Sequence, residues 1–181
     1  LSLFLEPLVV GLLVAAGLVL ITGIHHTDGL SDFADGLMVK GSREKKLEVM
    51  RDPKVGSAGI VAVIFYVAAA IISLSLMKGF ELFYAILIAE VCAKFCMVLS
   101  ASIGPSAWQG SNSSFIESMK DKKKLAIAAA IMICTIAPFQ NIVGFEAMAA
   151  SIVVTLIIVG ISRRSFGGIS GDIMGAVNEL A

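Results

Sequence analysis

No two cysteines in this sequence are spaced CxxC, and their total of three is odd. A cysteine-built metal or redox motif is therefore absent, and Cys92, Cys96 and Cys134, all inside apolar runs, read as small buried residues of helices. An excess of positive charge is missing too. The 14 Lys and Arg balance 14 Asp and Glu, which excludes a globally basic nucleic-acid binder. No internal repeat, low-complexity linker or Walker-type phosphate loop is present. Charge is scarce altogether, 15% against 57% hydrophobic residues. A soluble domain of 181 residues rarely reaches that proportion, so the chain reads as an integral membrane protein with a single domain over 1–181.

What is present is long apolar runs. A bilayer-crossing helix needs roughly 20 apolar residues. Five segments qualify as candidates: 3–24, 57–77, 80–103, 125–141 and 143–162, with Pro138 and Asn141 marking a tight turn between the last two. The expected fold class is all-α: a polytopic membrane helix bundle of about five spans plus one amphipathic acidic helix. The opening LSLFLEPLVV, without an initiator Met or a basic leader region, and the ending GAVNELA lead us to expect truncation at one or both ends.

The basic residues are unevenly placed. Six lie between Lys40 and Lys54, four between Lys120 and Lys124, and two are Arg163 and Arg164. With alternating spans these three regions share one membrane face, and the opposite face receives only Lys78. The excess of Lys and Arg marks the crowded face as cytoplasmic. The expected setting is a multi-pass protein of the cell membrane whose polar segments, and any site built from them, converge on the cytoplasm.

On that face lies HHTDGLSDFADG, His25 to Gly36. At about 100° per residue, Asp28, Asp32 and Asp35 fall at roughly 0°, 40° and 340° around a helix. Leu30, Phe33, Ala34 and Leu37 form the opposite stripe, and Thr27 is placed to cap the helix start. Like charges three and four apart destabilise a helix, and no Lys or Arg interleaves them. A divalent cation removes that repulsion. Mg²⁺ and Mn²⁺ prefer carboxylate oxygens, with water and phosphate filling the other positions. Carboxylates beside abundant Lys and Arg at a membrane surface suit a pyrophosphate bound through metal. Gly29 and Gly36, next to aspartates, leave room for a close backbone or ligand approach. His25 reads as an ordinary interfacial residue.

Further along, Lys40, Glu44, Glu48 and Arg51 suggest a solvated helix of mixed charge that Pro53 stops at Asp52. Gly56 and Gly59 offer backbone N–H groups to phosphate. Glu90 and Lys94, four apart in an apolar span, form a pair that faces a bundle interior or a wet cavity. Near the end, Asp172 opens a helix on which Gly175, Ala176 and Glu179 share a face, and Gly171 and Gly175 make a GxxxG.

HTDGLSDFADG (His26 to Gly36), EVMRDPKVGSAG (Glu48 to Gly59) and GGISGDIMGAVNEL (Gly167 to Leu180) resemble, in order and spacing, the signature segments of the cobalamin synthase family, the adenosylcobinamide-GDP ribazoletransferases. The resemblance spans nearly the whole chain. It implies a Mg²⁺-dependent membrane transferase of late cobalamin biosynthesis. Such an enzyme joins adenosylcobinamide-GDP to α-ribazole, or its 5′-phosphate, and releases GMP. It implies metal and pyrophosphate binding by Asp28, Asp32 and Asp35, proton transfer by His26, and substrate or phosphate binding by Arg51, Asp52, Lys54, Lys94, Asp172 and Glu179. The partners implied are those two substrates and the lipid bilayer, with no nucleic acid; a homo-oligomer stays open. Two other readings compete. DFADG followed by Lys40 partly resembles the CDP-alcohol phosphotransferase signature, but the two further aspartates at four-residue spacing are lacking. A cation transporter would use the aspartate stripe for ion entry, yet transporters place their ions at mid-membrane.

Overall fold

The computed structural model describes residues 5–108, 113–139 and 142–181. The expected turn residue Asn141, the first two residues of the 3–24 segment and the middle of the Ser106–Phe115 loop lie outside the described residues. The described residues form α-helices α1 (Pro7–Thr22), α2 (His25–Met38), α3 (Arg43–Val49), α4 (Ser57–Ser75), α5 (Gly79–Ile103), α6 (Ser113–Met119), α7 (Lys122–Ile136), α8 (Ile142–Ser165) and α9 (Gly171–Leu180). There is no β-strand among them beyond one isolated parallel bridge, Ser106 with Ile169.

Three helices, α4, α5 and α8, are long and apolar enough to cross a membrane, and the bent pair α1–α2 brings the number to as many as four. The five expected spans are not all found. α7 has 15 residues, about 22 Å at 1.5 Å per residue, against a hydrocarbon core of about 30 Å. A short 3₁₀ turn, Ala137–Phe139, carries it on to Phe139, whose ring meets Tyr84 and Phe80 near the start of α5. Cys92 and Cys96 are buried as expected, but Cys134 on α7 is exposed.

The break between α1 and α2 falls at Gly23, where φ is +86°, and turns the chain through 93°. α2 therefore runs across the end of the bundle instead of continuing as a span. Its helix begins at His25 with Ile24 as N-cap, so Thr27 is not the cap that the sequence suggested. Thr27 lies in the first turn, and its hydroxyl donates to Glu179 Oε1 at 3.2 Å. Nor is α2 a surface helix with one dry side. It is packed by α9, α4 and α3 on different sides, and Leu30, Phe33, Asp35 and Gly36 are all buried. Lys46 of α3 donates to the Leu37 carbonyl at 2.9 Å, satisfying one of the free acceptors at the α2 C-terminus.

The core lies under α9. Phe166, Ile169, Ile173, Ala176 and Val177 have no exposed surface, and Phe33 meets Phe166 with ring centroids 5.8 Å apart. The segments that follow α2, α5 and α8 meet at one end of the bundle. The Ala107 N–H donates to the Ile169 carbonyl at 2.9 Å, and the Ile169 N–H to the Pro105 carbonyl at 2.7 Å. Arg43 donates to the Ala107 carbonyl at 2.8 Å, and Arg163 donates to the Ile103 carbonyl. The segments after α2, α5 and α8 are thus tied together by backbone and guanidinium contacts.

Candidate active site

α2 and α9 lie antiparallel and touch backbone to backbone. A Cβ on Gly29 would lie 2.6 Å from the Asp172 carbonyl oxygen, and one on Gly175 would lie 3.0 Å from the His26 carbonyl oxygen. Real Cβ atoms do not approach so closely to backbone as the first of these. The glycines are therefore what lets a helix beginning at residue 171 sit on the acidic helix. The room left by Gly29 is filled by backbone, and that by Gly36 by Met50, the Lys46 carbonyl and Phe166.

This contact places Asp172 beside Asp28 and Asp32. Asp28 is exposed, whereas Asp32 and Asp172 are half-buried. Burial, then the charges of Asp28, Asp172 and Asp35, push the Asp32 carboxyl from its usual 3.8 up to about 7. Asp172 is also raised, chiefly by burial and further by Asp28, while its own backbone, Ser170 and the nearby Arg51 pull the other way. Asp172 is not the cap of its helix. Ser170 is: its Oγ accepts from the Ile173 N–H at 3.2 Å. The Asp172 carboxylate is left to face the other two.

Asp35 shares the stripe but behaves differently. It is 8% exposed, and each of its oxygens already holds a backbone donor. The Gly56 N–H donates to Oδ2 at 2.7 Å and the Gly59 N–H to Oδ1 at 2.9 Å. Asp35 thus caps α4, supplying a negative charge to the positive end of that helix from a distant part of the chain. A Cβ on Gly56 would lie 2.4 Å from Asp35 Oδ1, and one on Gly59 would lie 2.3 Å from Ser31 Oγ, so glycine is needed at both. The amides that the sequence offered to phosphate are used by this carboxylate. Asp35, Asp52, Lys54 and Gly56 line a hollow of about 330 Å³ beside the α4 start. There Asp52 Oδ1 accepts from the Lys54 N–H at 2.9 Å, closing a turn.

Arg51, on the loop after α3, is near enough to Asp172 to act on its charge. Its guanidinium also lies 4.2 Å from the centre of the Trp108 ring. Sequence reasoning did not single out Trp108, Arg43 or Ser170. The only signal for the first was a lone tryptophan at the head of an uncharged polar loop.

The remaining predicted residues gather elsewhere. Lys94 pairs with Glu90 at 3.5 Å and donates to Asn178 Oδ1 at 2.6 Å. Glu179 accepts from Thr27 and from the Tyr66 hydroxyl. His26 faces this group across α2 from the aspartates. Burial, then Lys94, holds its imidazole below the usual 6.5, against opposing pulls from Glu179 and Glu90. Its Nδ1 is buried with no hydrogen-bond partner among the described residues. The residues predicted for one site therefore form three groups: Asp28, Asp32, Asp172 and Arg51 on one side of α2, His26, Lys94 and Glu179 on the other, and Asp35, Asp52 and Lys54 beside the α4 start.

Among the described residues, no three His, Cys, Asp or Glu side chains form a closed metal cage. A cage is not what Mg²⁺ at a pyrophosphate needs. That ion keeps several waters and takes one or two carboxylates together with substrate phosphates. Asp28, Asp32 and Asp172 supply hard oxygen donors, and Asp32, raised to about 7 first by burial and then by its acidic neighbours, would be relieved by such an ion.

Comparison with known proteins gives the family. Residues 1–181 match the family described as cobalamin-5-phosphate synthase. An adenosylcobinamide-GDP ribazoletransferase of Methanocella arvoryzae is 38% identical over 188 residues, covering 93% of this chain and 69% of that protein. The protein of the same name from Pyrococcus abyssi is 35% identical, covering 98% and 75%, and that from Clostridium tetani is 32% identical, covering 93% and 67%. No solved structure matches. A match over the full chain, with relatives at 30% identity or more, shows that this chain belongs to the cobalamin-5-phosphate synthase family.

Proposed function

We propose that this chain joins adenosylcobinamide-GDP to α-ribazole, or to its 5′-phosphate, and releases GMP. The ribazole 3′-hydroxyl oxygen forms a bond to the phosphorus on the cobinamide side of the pyrophosphate. The bond from that phosphorus to the bridging oxygen breaks, GMP leaves with the electron pair, and the hydroxyl proton is lost. The observation that supports this reading best is the gathering of Asp28, Asp32 and Asp172 by the glycine contact between α2 and α9, with Arg51 near Asp172.

Bound Mg²⁺ would neutralise the pyrophosphate and steady the leaving oxygen. Asp28 and Asp32 are the residues to hold it, with Asp172 beside them. Arg51 supplies a fixed positive charge to a phosphate oxygen, and Lys54 supplies a second from the hollow next to α4. Asp35 serves the site indirectly, by fixing the start of α4 against α2. His26 lies too far round α2 to take the hydroxyl proton. In this reading it belongs to the paired group of Glu90, Lys94 and Glu179. The cytoplasmic orientation is supported by the clustering of basic residues at the site end.

The test is transfer by purified protein in detergent, with adenosylcobinamide-GDP, α-ribazole and Mg²⁺. Equal yields of cobalamin and GMP, lost on chelation, are expected. Intact substrates after incubation with folded protein would overturn the reading. Single cysteines at Ser42, Ser113 and Ser165 should all label from the cytoplasmic side; opposite labelling of any one would break the orientation.

A further inference from the structure

Trp108 is the single tryptophan of the chain, and the chemistry above gives it no task. Its backbone is fixed by its neighbours. Ser106 Oγ donates to the Trp108 carbonyl at 2.7 Å, and the adjoining Ala107 is held by Ile169 and Arg43. The indole itself is only half-buried. It lines a cavity of about 570 Å³ together with Pro105, Ser106, Ser113, Glu117 and Lys120. A rigid aromatic ring on the wall of an open cavity, with a guanidinium over it, is a stacking platform.

We propose that this cavity takes the guanine base of the nucleotide substrate, stacked on the Trp108 indole, with the Glu117 carboxylate reading the base edge. The inference rests on the transfer reaction above and adds the part of the site that selects the nucleotide. Position supports it. The guanidinium that lies over Trp108 is also close enough to Asp172 to act on its charge. Base platform and acidic cluster thus stand on two sides of one arginine. A nucleoside diphosphate has the same order, with a flat base at one end and phosphates at the other.

Chemistry narrows the base. Stacking alone is tolerant, because every base has a π-face. Selection needs the edge. Guanine is the one common base with two adjacent N–H donors, N1–H and the 2-amino group, and a single carboxylate accepts both. Glu117 lines the cavity, and Lys120 Nζ pairs with its Oε1 at 2.5 Å.

A lone tryptophan makes its own emission the probe. GMP, IMP and AMP are titrated into detergent-solubilised full chain with Mg²⁺. GMP is expected to quench saturably and to bind more tightly than IMP, which lacks the 2-amino group, or AMP. Glu117→Gln keeps the fluorophore and should shrink the GMP-over-IMP preference about tenfold. Trp108→Ala should raise KM for the nucleotide substrate by about 5- to 150-fold, the loss of one base–aromatic stack, with kcat little changed. Trp108→Phe should restore most of it and carries the test if the alanine variant misfolds. A protein that turns over yet shows no emission change with GMP, or equal binding of GMP and IMP, overturns the guanine pocket and leaves the transfer reaction standing. Saturable, GMP-selective quenching without any turnover counts against the transfer reaction and leaves the pocket standing.

Discussion

The two sides of α2 carry similar numbers of ionisable groups and use them in opposite ways. On the side of Glu90, Lys94 and Glu179, carboxylate meets ammonium, hydroxyl or amide, and nearly every charge has a partner of the other kind. On the side of Asp28, Asp32 and Asp172, carboxylates lie near one another with Arg51 close to Asp172, and burial, then the neighbouring charges, pushes Asp32 up to about 7. Paired polar groups near a bundle interior hold helices in register. Unpaired charge of one sign costs stability and persists for what it binds.

The sharpest way to break this contrast is Asp32→Asn. Turnover should fall by about two orders of magnitude or more, while the protein still inserts and folds. Its stability should change in the opposite sense. Asp32 binds its proton more tightly folded than unfolded, so between its usual 3.8 and about 7 the native state holds the extra proton. Stability from this group is therefore present below about pH 4 and lost as pH rises through 7. Metal-free wild type should melt at lower temperature at pH 8 than at pH 5. The variant should keep only the smaller part of that slope due to Asp172, and Mg²⁺ should raise the wild-type melting temperature more at pH 8. A wild-type rate in Asp32→Asn would make the stripe a solvated face.

Three positions along the same helix, Asp35→Asn should do the reverse. It removes the charge that accepts two buried amides, and about 1.5–3 kcal/mol of stability should go with each strong bond weakened. The loss should appear in thermal melts at every Mg²⁺ concentration. A variant that melts like wild type and fails only in transfer would move Asp35 to the metal.

At α9 the contrast narrows to neighbours. Asp172→Ala should raise the Mg²⁺ needed for transfer without lowering the melting temperature. Ser170→Ala should cost about 1 kcal/mol of stability and leave the Mg²⁺ titration alone. Exchange of these two phenotypes would make Asp172 the cap. The smallest effect is expected on the paired side. Lys94→Met should change transfer only a few-fold, since half-exposed ion pairs contribute about 0–1 kcal/mol. A loss as large as that of Asp32→Asn would show that the paired group takes part in the reaction.

Much of this could be read from residues alone, and the reasons are physical. The spread of Lys and Arg brings residues after α2, α5 and α8 to one face, because charge cannot stay in lipid, and the contacts of Arg43 and Ile169 bear that out. Small residues at Gly29, Gly171 and Gly175 signalled a close helix pair. A helical stripe, however, gives direction around one axis and says nothing of the neighbour it meets. Asp28, Asp32 and Asp35 share a stripe, yet α9 covers one end of it and α4 takes the carboxylate at the other. The same limit hid the side on which His26 lies. The segment 125–141 is found as α7 and its 3₁₀ continuation to Phe139.

The seam between α2 and α9 also sets an order of events. Asp172 is made 144 residues after Asp28. At about 5–20 residues per second of synthesis, the acidic helix waits roughly 7–30 s for its counterpart. Throughout that interval α2 lies across the end of α1 with its glycine groove open and its carboxylates incomplete. The spans are laid into the membrane first, and the centre that handles phosphate closes last, when α9 docks onto Gly29.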